Sequence, residues 1–167
     1  FRKAFSLGSA PFILFMGRLN SIKGADLLLQ AFCGLRGRLG EMHLVFAGPD
    51  EGLLAGMKDT IRAAAMEDYV HFVGYVGGQV KVDAYRQAEV LVVPSRQEAM
   101  SLVALEAGIQ GTPVLLTDQC GFNEVAQSGG GLVVPASVEG LQEGLLQMMT
   151  QPRERLRRMG RCMREYV

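Results

Sequence analysis

Apolar positions along this chain follow two rhythms, and the rhythms alternate. Short, nearly unbroken apolar runs occur at 12–15, 43–47, 70–73, 90–93, 113–116 and 131–134, each bounded by glycine, proline or polar residues. Runs of that length with such boundaries predict buried strands. Between them apolar residues recur every three or four positions. Leu28, Leu29 and Phe32 predict a helix over 25–35, which Gly34, Gly37 and Gly40 end. The same spacing predicts helices over 53–65, 79–88, 102 to about 108, 138–149 and 153–166. Residues 118–124 read as a loop with room for a turn of helix. Strands that are apolar throughout, rather than at every second position, are buried on both faces, and strands alternating with helices run parallel. The pattern predicts a Rossmann-like, doubly wound α/β domain with a parallel sheet of about six strands.

Composition narrows the class. The chain has 167 residues, enough for one domain that buries about 70% of its unfolded-chain surface. Lys plus Arg and Asp plus Glu are 17 each. A zero balance argues against a dedicated nucleic-acid binder, which carries a basic excess. No apolar run approaches the roughly 20 residues that span a bilayer, and there is no signal-peptide pattern. Cys33, Cys120 and Cys162 are scattered and odd in number, as expected of reduced thiols in a cytoplasmic protein. His43 and His71 sit at strand starts with no nucleophile or metal-ligand partner near them in sequence, and read as structural. The chain opens on Phe1 rather than Met, so it is expected to be a piece of a longer protein.

In an open parallel sheet ligands bind beyond the carboxyl ends of the strands, so the loops after the strands hold the candidate chemistry. A dinucleotide site would place GxGxxG after the first strand, and a P-loop would need Gly-Lys-Ser or Gly-Lys-Thr. Neither occurs. The first loop instead carries Gly17, Arg18 and Lys23. Arginine grips phosphate oxygens in a planar fork and lysine acts as a point charge, although two solvated loop charges satisfy the spacing as well. After the fourth strand comes Pro94-Ser95-Arg96-Gln97-Glu98, then Ser101, a plausible helix N-cap, and a helix bearing Glu106. Two acids flanking a helix N-terminus can hold hydroxyls while the free N–H groups face an anion. On spacing alone these are equally two surface acids. Cations opposite such acids suit a ligand with both phosphate and hydroxyls, such as a sugar nucleotide.

Five segments in order, Gly17-Arg18-Leu19-x3-Lys23-Gly24, Phe46-Ala47-Gly48, Val73-Gly74-Tyr75-Val76, Pro94-Ser95-x2-Glu98-x7-Glu106-Ala107 and Gly111-Thr112-Pro113-Val114, resemble the C-terminal, donor-binding domain of the group 1 (family 4) retaining glycosyltransferases, which have two Rossmann-like domains (GT-B architecture). The resemblance covers almost the whole chain. It implies that Arg18 and Lys23 hold the donor diphosphate, that Glu98 contacts hydroxyls of the transferred sugar, and that Glu106 binds the ribose. It implies that the loop at Tyr75 and Val76 meets the nucleobase, and that backbone amides from Met100 through Ser101 to Leu102 line the sugar-phosphate pocket. The implied donor is a UDP, GDP or ADP sugar, with no cofactor and no metal. The implied partners are an N-terminal acceptor domain of the same protein, absent from these residues, and an acceptor saccharide or lipid-linked glycan.

One departure stands out. The family usually has Gly-Phe-Gly or Pro-Phe-Gly after the first Glu, where this chain has Ala99-Met100-Ser101. Ser101 adds a Cβ where backbone approaches ligand, which narrows the pocket or supplies a hydroxyl. Glu124, in Gly121-Phe122-Asn123-Glu124, reads as a helix-start residue. Six arginines between Arg153 and Arg164 form a solvated helix face, or a peripheral contact with acidic lipid headgroups. The alternatives to a transferase are a sugar-nucleotide epimerase or a glycogen- or starch-synthase relative of the same fold, and a non-catalytic nucleotide- or partner-binding module.

Overall fold

A computed structural model describes residues 1–167. Six strands, β1 (Phe12–Met16), β2 (His43–Ala47), β3 (Val70–Gly74), β4 (Val90–Val93), β5 (Val114–Thr117) and β6 (Gly131–Val134), form one sheet in the order β3-β2-β1-β4-β5-β6. Every pairing is parallel. The helices are α1 (Ala25–Gly34), α2 (Leu54–Ala63), α3 (Gly78–Gln87), α4 (Leu102–Ile109), α5 (Glu124–Gln127), α6 (Val138–Met149) and α7 (Arg153–Tyr166). This is the doubly wound fold that the hydrophobic pattern predicts.

The strands read as continuous apolar runs because each side of the sheet has its own core. Within β1, Ile13 and Phe15 pack with residues of α1, α2 and α6. Phe12, Leu14 and Met16 pack on the opposite side with residues of α3, α4 and α5. The last helix serves both cores, Leu156 joining the first and Met163 the second. Besides shifts of one or two residues at other element ends, two details differ from the sequence reading. Pro113, which has no N–H to give to the ladder, lies before β5, and the strand extends to Thr117 instead. The short helix starts at Glu124, the last residue of the 118–124 loop, as its helix-start reading has it, and runs on to Gln127.

The order puts β1 beside β4 in the centre of the sheet, with Ile13, Leu14 and Phe15 level with Val90, Leu91 and Val92. The chain direction reverses its winding there, so the loops after these two strands leave the sheet as neighbours, at the switch point where such sheets bind ligands.

At the amino-terminal edge, His43 Nδ1 and His71 Nε2 are 2.8 Å apart, with the rings stacked at an interplanar angle of 8°. One proton serves this contact, so two imidazoliums would set N–H against N–H. Burial lowers the pKa of both rings, and the His43 charge lowers that of His71 further. A histidine whose folded pKa lies below its unfolded value stabilises the fold above the unfolded pKa and loses that contribution as pH falls through the folded one. The melting temperature is therefore expected to fall as pH drops below about 6.5, and His71→Phe is expected to flatten that limb in thermal scans between pH 7.5 and 5.

Candidate functional site

The loop from Gly17 to Gly24 is held by several ties. Gly17 donates to the Ala47 carbonyl and Leu19 to that of Pro49. Asn20 Oδ1 accepts from the Lys23 N–H at 2.9 Å, while Asn20 Nδ2 donates to Glu51 at 2.7 Å. Arg18 lies 3.2 Å from the other oxygen of the same carboxylate. The Asn20 hydrogen bond, then that of Arg18, outweighs desolvation and holds the Glu51 carboxyl below its usual range. Gly24 has φ 69°, and a Cβ there would overlap the carbonyl oxygen of Pro94. Only glycine lets the first loop come down onto the end of β4.

The loop after β4 is clipped to the first loop from its own side. Arg96 forms a fork with Asp26 at 2.8 and 2.7 Å and donates to the Ser21 carbonyl, while its N–H bonds to the Ile22 carbonyl at 2.8 Å. The Glu98 N–H bonds to the Gln119 carbonyl at 2.9 Å. Gly121 has φ 60°, and a Cβ there would overlap the Ala99 carbonyl oxygen. The segment between β4 and α4 is therefore fixed from both flanks.

Between the two loops is a cavity of about 530 Å³ whose lining includes Gly17, Arg18, Lys23, Ser95, Glu98, Met100 and Leu102. The Glu98 side chain is 11% exposed. Its Oε2 accepts from the Ser95 hydroxyl at 2.8 Å, and its Oε1 lies 3.3 Å from Lys23 Nζ. Arg18, more exposed, faces the same space. The Ser101 side chain caps α4, accepting from the Ala104 N–H at 3.4 Å, so the remaining first-turn amides are left without intrahelical partners beside the cavity. A helix N-terminus carries about half a positive charge. The result is a pocket with two side-chain cations, a helix N-terminus and one carboxylate.

Three of the four charged residues read from the sequence thus share one cavity. Glu106 does not line it. In the second turn of α4, it meets α3, where Lys81 Nζ lies 2.8 Å from Oε1 and 2.7 Å from Oε2, and the Tyr85 hydroxyl donates to Oε2 at 2.7 Å. The Ser101 hydroxyl is buried in its cap rather than offered to the pocket. Tyr75 is 80% exposed at the start of the loop before α3, while Val76 is 6% exposed and packs into the core, so any ligand contact from Val76 is through its backbone. Asn20, Glu51, Asp26, Arg96, Lys81 and Tyr85 are the supporting residues that sequence reasoning missed. Apart from the Asn20–Lys23 turn bond, the side-chain partners of these residues lie at least 21 positions away, beyond any local spacing rule.

Two other concavities lack this combination. One, of about 320 Å³, lies beyond α1, where Phe32, Leu39, Met66 and Tyr69 are joined by Arg36 and Glu41. The other, of about 790 Å³, runs between α7 and the turn before β6 and carries Arg155, Arg158 and Arg161.

A sequence profile described as "Glycosyl transferases group 1" matches residues 1–165. The chain is 37% identical over 147 residues to the D-inositol 3-phosphate glycosyltransferase of Saccharomonospora viridis, an alignment covering 82% of this chain and 31% of that protein. Its structure is similar to sucrose-phosphate synthase from Thermosynechococcus elongatus, with a TM-score of 0.84 and 26% identity over 98% of this chain and 42% of that one. The C-terminal domain of the group 1 glycosyltransferase LpcC from Francisella tularensis has the same fold, at a TM-score of 0.84 and 19% identity over 99% of this chain and 90% of that one. The chain spans between 25% and 39% of the length of the curated relatives it matches.

The Arg96–Asp26 clip gives a stability test. Burial raises the Asp26 pKa, but the Arg96 hydrogen bonds and charge outweigh it and leave the carboxyl below its usual range. Its contribution is therefore complete above the unfolded pKa of about 3.9 and drains away as pH falls below that. A double-mutant cycle of Arg96→Ala and Asp26→Ala, read by denaturant unfolding at pH 7, is expected to give a coupling of about 1 kcal/mol that shrinks by pH 3.

Proposed function

This chain belongs to the group 1 glycosyltransferases, and we propose that it is the donor-nucleotide half of a retaining hexosyltransferase. In this reading it binds a nucleoside-diphosphate sugar. An N-terminal acceptor domain outside these residues completes the cleft, and the sugar passes to an acceptor saccharide or lipid-linked glycan. The observation that carries the reading is the meeting of Arg18, Lys23, Glu98 and the α4 N-terminus around one cavity. A sugar nucleotide presents a diphosphate to cations and sugar hydroxyls to a carboxylate, and the cavity has a group for each.

The chemistry rests on the charges. When the anomeric C–O bond breaks, its electron pair stays with the leaving diphosphate, and positive charge grows on the sugar ring. Arg18, Lys23 and the α4 amides interact more strongly with the diphosphate as that charge develops, which is the differential binding that accelerates a step. Glu98, oriented by Ser95, accepts hydroxyls of the transferred sugar. Leu102, at the cavity, and Glu106 are four residues apart, about 6 Å along the helix axis. The ribose therefore reaches Glu106 when the diphosphate sits at the start of α4, and the base reaches the Tyr75–Val76 loop.

The arginines of α7 support an additional contact. Of the six, Arg153 alone pairs with a carboxylate, Glu89 at 3.5 Å, while Leu156 and Met163 turn the apolar side inward. In this reading the charged side touches acidic lipid headgroups without inserting. No helix is long and apolar enough to cross a membrane. Co-sedimentation with vesicles containing phosphatidylserine, lost in 0.5 M salt and with neutral vesicles, is the expected result.

Calorimetric titration with UDP, GDP and ADP tests the donor site. At least one is expected to bind, and Arg18→Ala to weaken it by about 1.5–3 kcal/mol, the scale of a charged hydrogen bond. Binding indifferent to Arg18→Ala would put the phosphates elsewhere, and no heat with any of the three would favour a non-catalytic module. Residues 1–167 alone are expected to transfer no sugar, so detectable transfer by them would count against the division into two halves.

A further inference from the structure

The contacts of Glu106 make a second arrangement, separate from the cavity. Both partners come from α3, and Lys81 and Tyr85 are four residues apart, so one face of α3 meets the carboxylate. The two partners differ in kind. Tyr85 is 2% exposed, and its phenol has no room to follow a moving acceptor. Thr112 fixes the same residue at its backbone, donating to the Tyr85 carbonyl at 2.8 Å. Burial, then the bond to Glu106, raises the phenol pKa far above its usual value, so the hydroxyl stays a donor at any working pH. Lys81 is a point charge on a flexible stem, in reach of both carboxylate oxygens, and can settle on either.

A carboxylate offers about four acceptor positions. The phenol takes one permanently, and the ammonium takes one or two. The Glu106 side chain is 42% exposed and follows Leu102 by one turn on the same face of α4, so the carboxylate is open to a further donor on that side of the helix. A hydrogen bond to one oxygen from an immobile donor sets the carboxylate rotamer, and so aims the free positions. Lys81 also offsets a negative charge that would otherwise repel an incoming diphosphate.

Building on the donor-site reading above, we propose that Tyr85 is a positioning residue: its buried hydroxyl fixes Glu106 in the orientation that accepts the 2′- and 3′-hydroxyls of the donor ribose, so that the site prefers a ribonucleotide to its 2′-deoxy counterpart. The competing role is simple glue between α3 and α4, and a preference ratio separates the two. The test is calorimetry of UDP, GDP and ADP, each against its 2′-deoxy analogue, on the wild-type chain, Tyr85→Phe and Glu106→Gln, with thermal unfolding run alongside.

The wild type is expected to prefer the ribonucleotide by about tenfold or more, the scale of one charged hydrogen bond. Tyr85→Phe is expected to bring that ratio to within about twofold, weakening the ribonucleotide more than the deoxynucleotide, which keeps only the 3′-hydroxyl. Glu106→Gln is expected to do the same by removing the accepting carboxylate. Should Tyr85→Phe fail to fold, Thr112→Val, which frees the Tyr85 backbone but leaves Glu106 in place, is expected to lower the ratio, and an unchanged ratio there overturns the positioning role. A Tyr85→Phe chain that melts earlier but keeps the wild-type ratio makes the phenol glue and overturns this inference alone. A full ratio in Glu106→Gln also overturns it. Absence of binding by every nucleotide to the wild type removes the donor-site reading and this inference with it.

Discussion

The adjacency of β1 and β4 in the sheet is the constraint on which the site depends. Parallel pairing of Ile13, Leu14 and Phe15 with Val90, Leu91 and Val92 brings two loops, some 75 residues apart in sequence, out of the sheet side by side. Close contact between them needs more than strand order. A glycine at 24 removes the one side chain that would hold the loops apart, and the Arg96–Asp26 fork closes them from the outside. None of these groups needs to touch a ligand. They bring Lys23 to 3.3 Å from Glu98, so the cavity holds a cation and a carboxylate side by side.

The charges in the cavity are unequal in exposure. Lys23 and Glu98 are largely buried and paired, so each offsets the desolvation of the other, and removing either leaves a costly unpaired charge. Arg18 is more exposed and pairs with Glu51 at the surface, where such a pair contributes little. It can turn to an arriving phosphate at small cost. In the proposed donor site the difference divides the labour: a paired cation and carboxylate that shape the pocket, and a more exposed cation, Arg18, to meet the phosphates.

The architecture was legible because the strands are buried on both sides, which writes unbroken apolar runs into the sequence at every strand. The positions of Arg18, Lys23 and Glu98 were legible too, because each lies in a loop whose place is set by strand order. Glu106 was read with them because it shares their motif, yet the first turn of α4 carries it to α3, and periodicity alone does not say which neighbour a helix face will meet. Ser101 was readable as a cap but also as a pocket hydroxyl; the fold uses it as the cap. Tyr85 read as one apolar member of a helix face. Its hydroxyl, the part that matters, has a partner 21 positions away. Glu51 and Asp26 escaped notice for the same reason.

A crystal structure of the chain soaked with the nucleoside diphosphate it binds tests the central claim most directly. The account predicts diphosphate oxygens within hydrogen-bond distance of Arg18, Lys23 and the amides at the start of α4, with the ribose extending along α4 towards Glu106. A diphosphate seated instead in the groove of Arg155, Arg158 and Arg161 beside α7, with the β1–β4 cavity filled by water, would contradict it.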